Sequence, residues 1–223
     1  MNTKSALILV DLQNDFMPGG ALAVAKGDEL VAIANVLMEN KGTEKFDIIV
    51  ATQDWHPAEH KSFAANHLGA KVYDLIDLNG IPQVLWPVHC VQNTFGAELH
   101  KDLNVDKITK IFYKGTNPEV DSYSGFQDND KKSQTGLAKY LKENNVGTVF
   151  VMGLATDYCV KATALDALEN GFETILLAHA SKAVNINPTD EATAINDVLE
   201  AGGFIANTTK PEENVQKPAP DVE

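Results

Sequence analysis

The strongest constraint on this chain is a repeated alternation of short, continuous apolar runs with helical patterns. The runs "ALILVDL", "DIIVATQ", "KIFYK", "TVFVMG", "ETILLA" and "FIA" are rich in Val, Ile, Leu and Phe. Amphipathic segments lie among them: "DELVAIANVLMEN", "QTGLAKYLKENN", "ATALDALEN" and "DEATAINDVLEAG". A strand covered on both faces needs an unbroken apolar run rather than an alternating one. The predicted fold class is therefore α/β, a doubly wound parallel sheet of about six strands with helices on both faces. With 223 residues and 44% hydrophobic content, the chain suits one domain over residues 1–208. The tail at 209–223 carries three prolines and little to bury, which predicts flexibility. One stretch breaks the alternation, from Pro57 to about Leu103, and reads as a functional excursion from the scaffold.

Charge and cysteine usage exclude several roles. A net charge of -13 speaks against nucleic acid and anionic membrane surfaces, since both are bound through basic patches. "ALILV" is too short for a membrane span or signal core, so a cytoplasmic protein is expected. Cys90 and Cys159 form no disulfide framework. Neither a G-x-G-x-x-G after the first strand nor a P-loop motif is present.

Ligands of open α/β sheets bind beyond the carboxyl ends of the strands. Here those ends deliver Asp11, Asp54, Lys114 and, through Gly153, the turn before Cys159. Taken singly, each has a structural explanation: a small buried thiol, a capping carboxylate, a surface lysine. Together they form a candidate nucleophile site. Thr156 as N-cap would set Cys159 in a first helical turn, where the helix dipole and Lys114 favour thiolate. Asp11 is suited to general acid and base work, and free N–H groups of the turn to holding an oxyanion. In "ATQDWHPAEH", Asp54 and His56 share one face of an extended segment, and His89 in "WPVHC" is a third candidate. One carboxylate and two imidazoles suit a divalent ion, Zn²⁺ first, with Fe²⁺ and Mn²⁺ as competitors. His60, His67 and Ser62 are candidates to join that ion or bridge to it through water, whereas His100 and His179 read as surface and strand-end positions.

The blocks "LILVDLQNDFMPGGALAV", "QDWHP", "WPVHCVQNTFGAELH", "FYKGTNPEVDSYSGF" and "VMGLATDYCVKATALDALENG" resemble, in order, the nicotinamidases of the isochorismatase-like cysteine hydrolase group. The resemblance runs from about Ala6 to Ala201. It implies Asp11, Lys114 and Cys159 as catalytic residues and Asp54, His56 and His89 as metal ligands. It also implies a cis peptide before Ala155, with the N–H groups of Ala155 and Cys159 as the oxyanion hole. Phe16, Trp86 and Tyr123 would hold a flat pyridine ring whose nitrogen reaches the metal. The implied reaction turns nicotinamide into nicotinate and ammonia through a thioester, as in NAD salvage, and extends to pyrazinamide. The alternative is a hydrolase of the same fold acting on another amide or a carbamoyl substrate. The oligomeric state, homo-oligomer included, is left open by the sequence.

Overall fold

The structure is a computed structural model that describes residues 3–39, 45–207 and 215–218. Its strands are β1 (Lys4–Val10), β2 (Ile48–Asp54), β3 (Leu75–Leu78), β4 (Ile81–Val84), β5 (Lys110–Lys114), β6 (Val146–Leu154), β7 (Glu173–Lys182), β8 (Phe204–Ala206) and β9 (Val215–Gln216). Among the described residues four α-helices accompany them: α1 (Glu29–Met38), α2 (Leu137–Glu143), α3 (Lys161–Glu169) and α4 (Asp190–Glu200). The main sheet has the order β5-β2-β1-β6-β7-β8-β9. Its first six strands in that order pair in parallel, and β9 adds an antiparallel edge. The six parallel strands agree with the sequence reading.

The continuous apolar runs are explained by burial on both faces. Along β1, Leu7 and Leu9 enter a core with Leu30, Val31, Ala34 and Met38 of α1. Ala6, Ile8 and Val10 enter the opposite core with residues of α2, α3 and α4. An alternation of polar and apolar residues would have left one of these cores unfilled. The order of strands reverses at β1, which has β2 on one side and β6 on the other. A crevice opens at such a switch point beyond the carboxyl ends of the strands.

Gly153 makes the tightest backbone approach at that crevice. It pairs with Val10 in the β1–β6 register, has φ +124, and a Cβ there would lie 2.1 Å from the Val10 carbonyl oxygen. Only glycine meets both conditions. Gly153→Ala is expected to lower the urea midpoint strongly, by the equivalent of about 3 kcal/mol or more.

The excursion after Pro57 contains the β3–β4 hairpin, which the sequence reading did not resolve. Its turn is Asn79-Gly80, with φ of 57 and 86, the positive pair that a tight hairpin turn needs. In the 209–223 tail, Val215 and Gln216 pair with Ala206 and Ile205. The rest of the tail apart from Lys217 and Pro218, and the boundary at 208, lie outside the described residues. No helix among the described residues is long and apolar enough to cross a membrane.

Candidate active site

Four strand ends bring the titratable groups together. Asp11 follows β1 with φ 51, a left-handed conformation that aspartate tolerates better than most residues. Its Oδ1 accepts from the Thr52 hydroxyl at 2.6 Å. Lys114 ends β5, is fully buried, and places Nζ 2.9 Å from Asp11 Oδ2, 3.3 Å from Cys159 Sγ and 3.0 Å from the Ser122 carbonyl. It also pairs closely with Asp54 Oδ1. Asp11 Oδ2 meets the lysine as an ion pair and keeps a lone pair for a further donor. That leaves an open acceptor, and the same carboxylate faces the Cys159 thiol.

The electrostatics correct one expectation. Burial pushes the Cys159 thiol well up, Lys114 opposes this, and the Asp11 and Asp54 charges reinforce it. Burial likewise raises Asp11 despite Lys114. For Lys114, burial would lower the pKa, but Asp11 and Asp54 outweigh it and hold the ammonium charged. Burial and the two carboxylates thus oppose the free thiolate that the helix dipole and Lys114 alone would favour. The N-cap expectation also changes. Thr156–Val160 form a π-helical turn capped by Ala155, without a side-chain cap, and Tyr158 and Val160 both donate to the Ala155 carbonyl, at 3.1 and 3.0 Å. The Leu154–Ala155 peptide is cis.

Beside this group sits a trio of acceptors. His56 Nδ1 lies 2.8 Å from the Gly115 carbonyl and His89 Nδ1 2.8 Å from the Pro87 carbonyl. A carbonyl can only accept, so both rings carry their proton on Nδ1 and turn an Nε2 lone pair inward. These lone pairs face Asp54 Oδ2 at 3.7 and 3.8 Å. Burial would raise Asp54, yet the buried Lys114 ammonium beside it holds its carboxyl well below the usual range. Three buried acceptors facing one another call for a cation, and a carboxylate with two imidazole nitrogens is a donor set for a divalent ion. Gly115 leaves room for this arrangement, since a Cβ on it would come within 2.3 Å of the His56 ring. Gln13 fixes Asp54 from behind: its amide donates to the Asp54 carbonyl and accepts from the Asp54 N–H, both at 2.8 Å.

Above both groups opens a cavity with about 380 Å³ of empty space including its mouth, lined by the expected Phe16, Trp86, Tyr123, Asp54, His89, Ala155 and Cys159. Leu22, Asp121, Tyr158 and Val184 line it as well. Tyr158 stands edge-on to Trp86, with centroids 4.8 Å apart. Its place beside Cys159 was the one available signal for it. Val184 comes from the loop after β7, where Asp157 accepts from the N–H groups of Val184 and Asn185. No local pattern marks that connection. Of the remaining histidines, His67 binds the Lys61 carbonyl and does not join the acceptor trio, whereas His60 lies against His56 with ring centroids 4.4 Å apart.

Residues 5–210 match the isochorismatase domain family. The chain belongs to the isochorismatase family. Among relatives of this family member, the nicotinamidase of Escherichia coli K12 is 47% identical over 203 residues, covering 90% of this chain and 93% of its own. A solved nicotinamidase/pyrazinamidase of Acinetobacter baumannii superposes with a TM-score of 0.86 at 43% identity, covering 92% and 96% of the two chains. The pyrazinamidase of Pyrococcus horikoshii, solved in complex with zinc, superposes with a TM-score of 0.74 at 43% identity, covering 92% and 99%.

Proposed function

We propose that this isochorismatase-family protein is a metal-dependent cysteine amidohydrolase that converts nicotinamide to nicotinate and ammonia, as in NAD salvage, and also accepts pyrazinamide. The observation that carries the reading is a buried Asp11–Lys114–Cys159 cluster opening into a narrow aromatic cavity beside an acceptor-only trio. A nicotinamidase at 47% sequence identity and a solved nicotinamidase/pyrazinamidase at 43% sequence identity support the substrate.

Asp11 takes the thiol proton through its open Oδ2, and the sulfur attacks the carboxamide carbon. The N–H groups of Ala155 and Cys159 hold the resulting oxyanion. Asp11 then protonates the amine as the C–N bond breaks, releasing ammonia and leaving a thioester. Water attacks the thioester, giving its proton to Asp11. The C–S bond breaks, the acid leaves, and the proton returns to sulfur. Lys114 keeps Asp11 and the thiol in line and lowers the cost of charge on sulfur. Phe16, Trp86, Tyr123 and Tyr158 sort for a flat ring. Asp54, His56 and His89 would hold a divalent ion, which we take to be Zn²⁺ with Fe²⁺ or Mn²⁺ as competitors, and it would supply Lewis-acid chemistry for orienting the pyridine ring. On this reading the reaction runs in the cytoplasm. Ammonia release from nicotinamide tests the assignment.

Two substitutions read the division of labour between charges. Asp11→Asn removes a charge and an acceptor that hold the thiol up, so its rate of alkylation by iodoacetamide is expected to rise at lower pH than in the parent. Lys114→Met removes the only opposing charge among the main contributors, and the profile is expected to move to higher pH. Profiles that move in the same direction would contradict these roles.

A further inference from the structure

His60 is the buried imidazole for which the proposed chemistry has no use. The Ser62 N–H donates to its Nδ1 at 3.1 Å, and the Ser62 hydroxyl oxygen lies 2.7 Å from the same nitrogen. A backbone N–H cannot accept, so Nδ1 carries the lone pair and the ring proton sits on Nε2. His60 is therefore the opposite tautomer to His56 and His89, whose Nδ1 atoms face carbonyls. Its Nε2 is fully buried and has no hydrogen-bond partner among the described residues.

The ring packs against His56 and Phe63, and acceptors are among its other neighbours. The Val120 carbonyl and the Asp121 carboxylate both act on it, and one nitrogen each of His56 and His60 with an oxygen of Asp121 lie within 4.8 Å of one another. Asp121 is buried and lines the cavity. Its Oδ1 accepts from the Ser122 N–H at 2.8 Å and its Oδ2 from Gln83 Nε2 at 2.9 Å, leaving each oxygen a further lone pair. A separation close to that 4.8 Å limit is spanned by one water making two ordinary hydrogen bonds.

We propose that His60 does not ligate the ion: its Nε2–H and the Asp121 carboxylate hold a water between them, against His56, in the outer shell of the metal centre. Ser62 is the residue that sets this tautomer, and His60 and Asp121 are positioning residues. The proposal rests on the metal reading above.

The test uses the full chain with Zn²⁺ as probe. Long-range proton–nitrogen spectra are expected to show His60 protonated on Nε2 both before and after zinc, while zinc perturbs His56 and His89. In chelator competition, His60→Ala is expected to weaken zinc about 10- to 100-fold, as loss of an outer-shell partner does. His60→Gln, which can still donate from the equivalent position, is expected to stay within about threefold of the parent. A His60→Gln loss as large as that of His60→Ala, or zinc displacing the Nε2 proton, would overturn the proposal. A proton found on Nδ1 of His60 without zinc would overturn it whatever zinc does. Zinc perturbing none of the three rings would instead show that the metal reading itself fails.

Discussion

Cys159→Ala is expected to lower ammonia release from nicotinamide by about ten-thousandfold or more, since a covalent route is lost and not merely slowed. The fold should survive. The side chain being trimmed is small, and the turn that presents it is held by backbone bonds to the Ala155 carbonyl and by Asp157 across the loop at Val184 and Asn185. The aromatic cavity, with Phe16, Trp86, Tyr123 and Tyr158 in its lining, also stays, so the variant should bind nicotinamide with an affinity close to the parent's. Calorimetric binding alongside the turnover assay checks both halves. Turnover within about tenfold of the parent would mean that the bond to carbon is made by something other than this sulfur.

The second large effect concerns the acceptor trio. Stripping the ion, or His56→Ala, is expected to reduce nicotinamide hydrolysis at least about a hundredfold, because a ring turned by a small angle no longer offers its carboxamide to the sulfur. Lys114 and Asp11 stay beside the thiol, so alkylation of Cys159 by a small reagent should persist in the stripped protein. Benzamide separates orientation from chemistry. It carries the same carboxamide on a ring of the same size but has no ring nitrogen, and it should be a poor substrate for the loaded enzyme. Full turnover after verified removal of the ion, or equal turnover of benzamide and nicotinamide, would show that Asp54, His56 and His89 do not orient the ring.

Much of this architecture is written locally in the chain, and the parts that are not have physical reasons. The parallel sheet is legible because burial on two faces demands continuous apolar runs, and the strand ends then point to Asp11, Asp54 and Lys114 without further information. The β3–β4 hairpin was hidden by its context: Leu75–Leu78 is largely exposed or half-buried, so burial imposed no apolar pattern to read. Val184 and Asp121 reach the cavity through loops, whose course depends on long-range contacts such as the Asp157 carboxylate and the Gln83 amide. The expected N-cap at Thr156 failed for a related reason, because its hydroxyl is buried without a partner among the described residues and the turn opens as a π-helix. Likewise, the electrostatic balance at Cys159 could not be read from Lys114 alone. Two carboxylates and full burial, each arriving from a different part of the chain, act on the same sulfur.

The most direct measurement is ammonia release by the zinc-loaded protein from nicotinamide, pyrazinamide and an aliphatic amide, side by side. Rapid release from the two aromatic amides and none above background from the aliphatic one is expected of a thiol nucleophile beneath a flat-ring cavity. No release from nicotinamide, or release from the aliphatic amide at the same rate, would contradict the assignment of this site to nicotinamide hydrolysis.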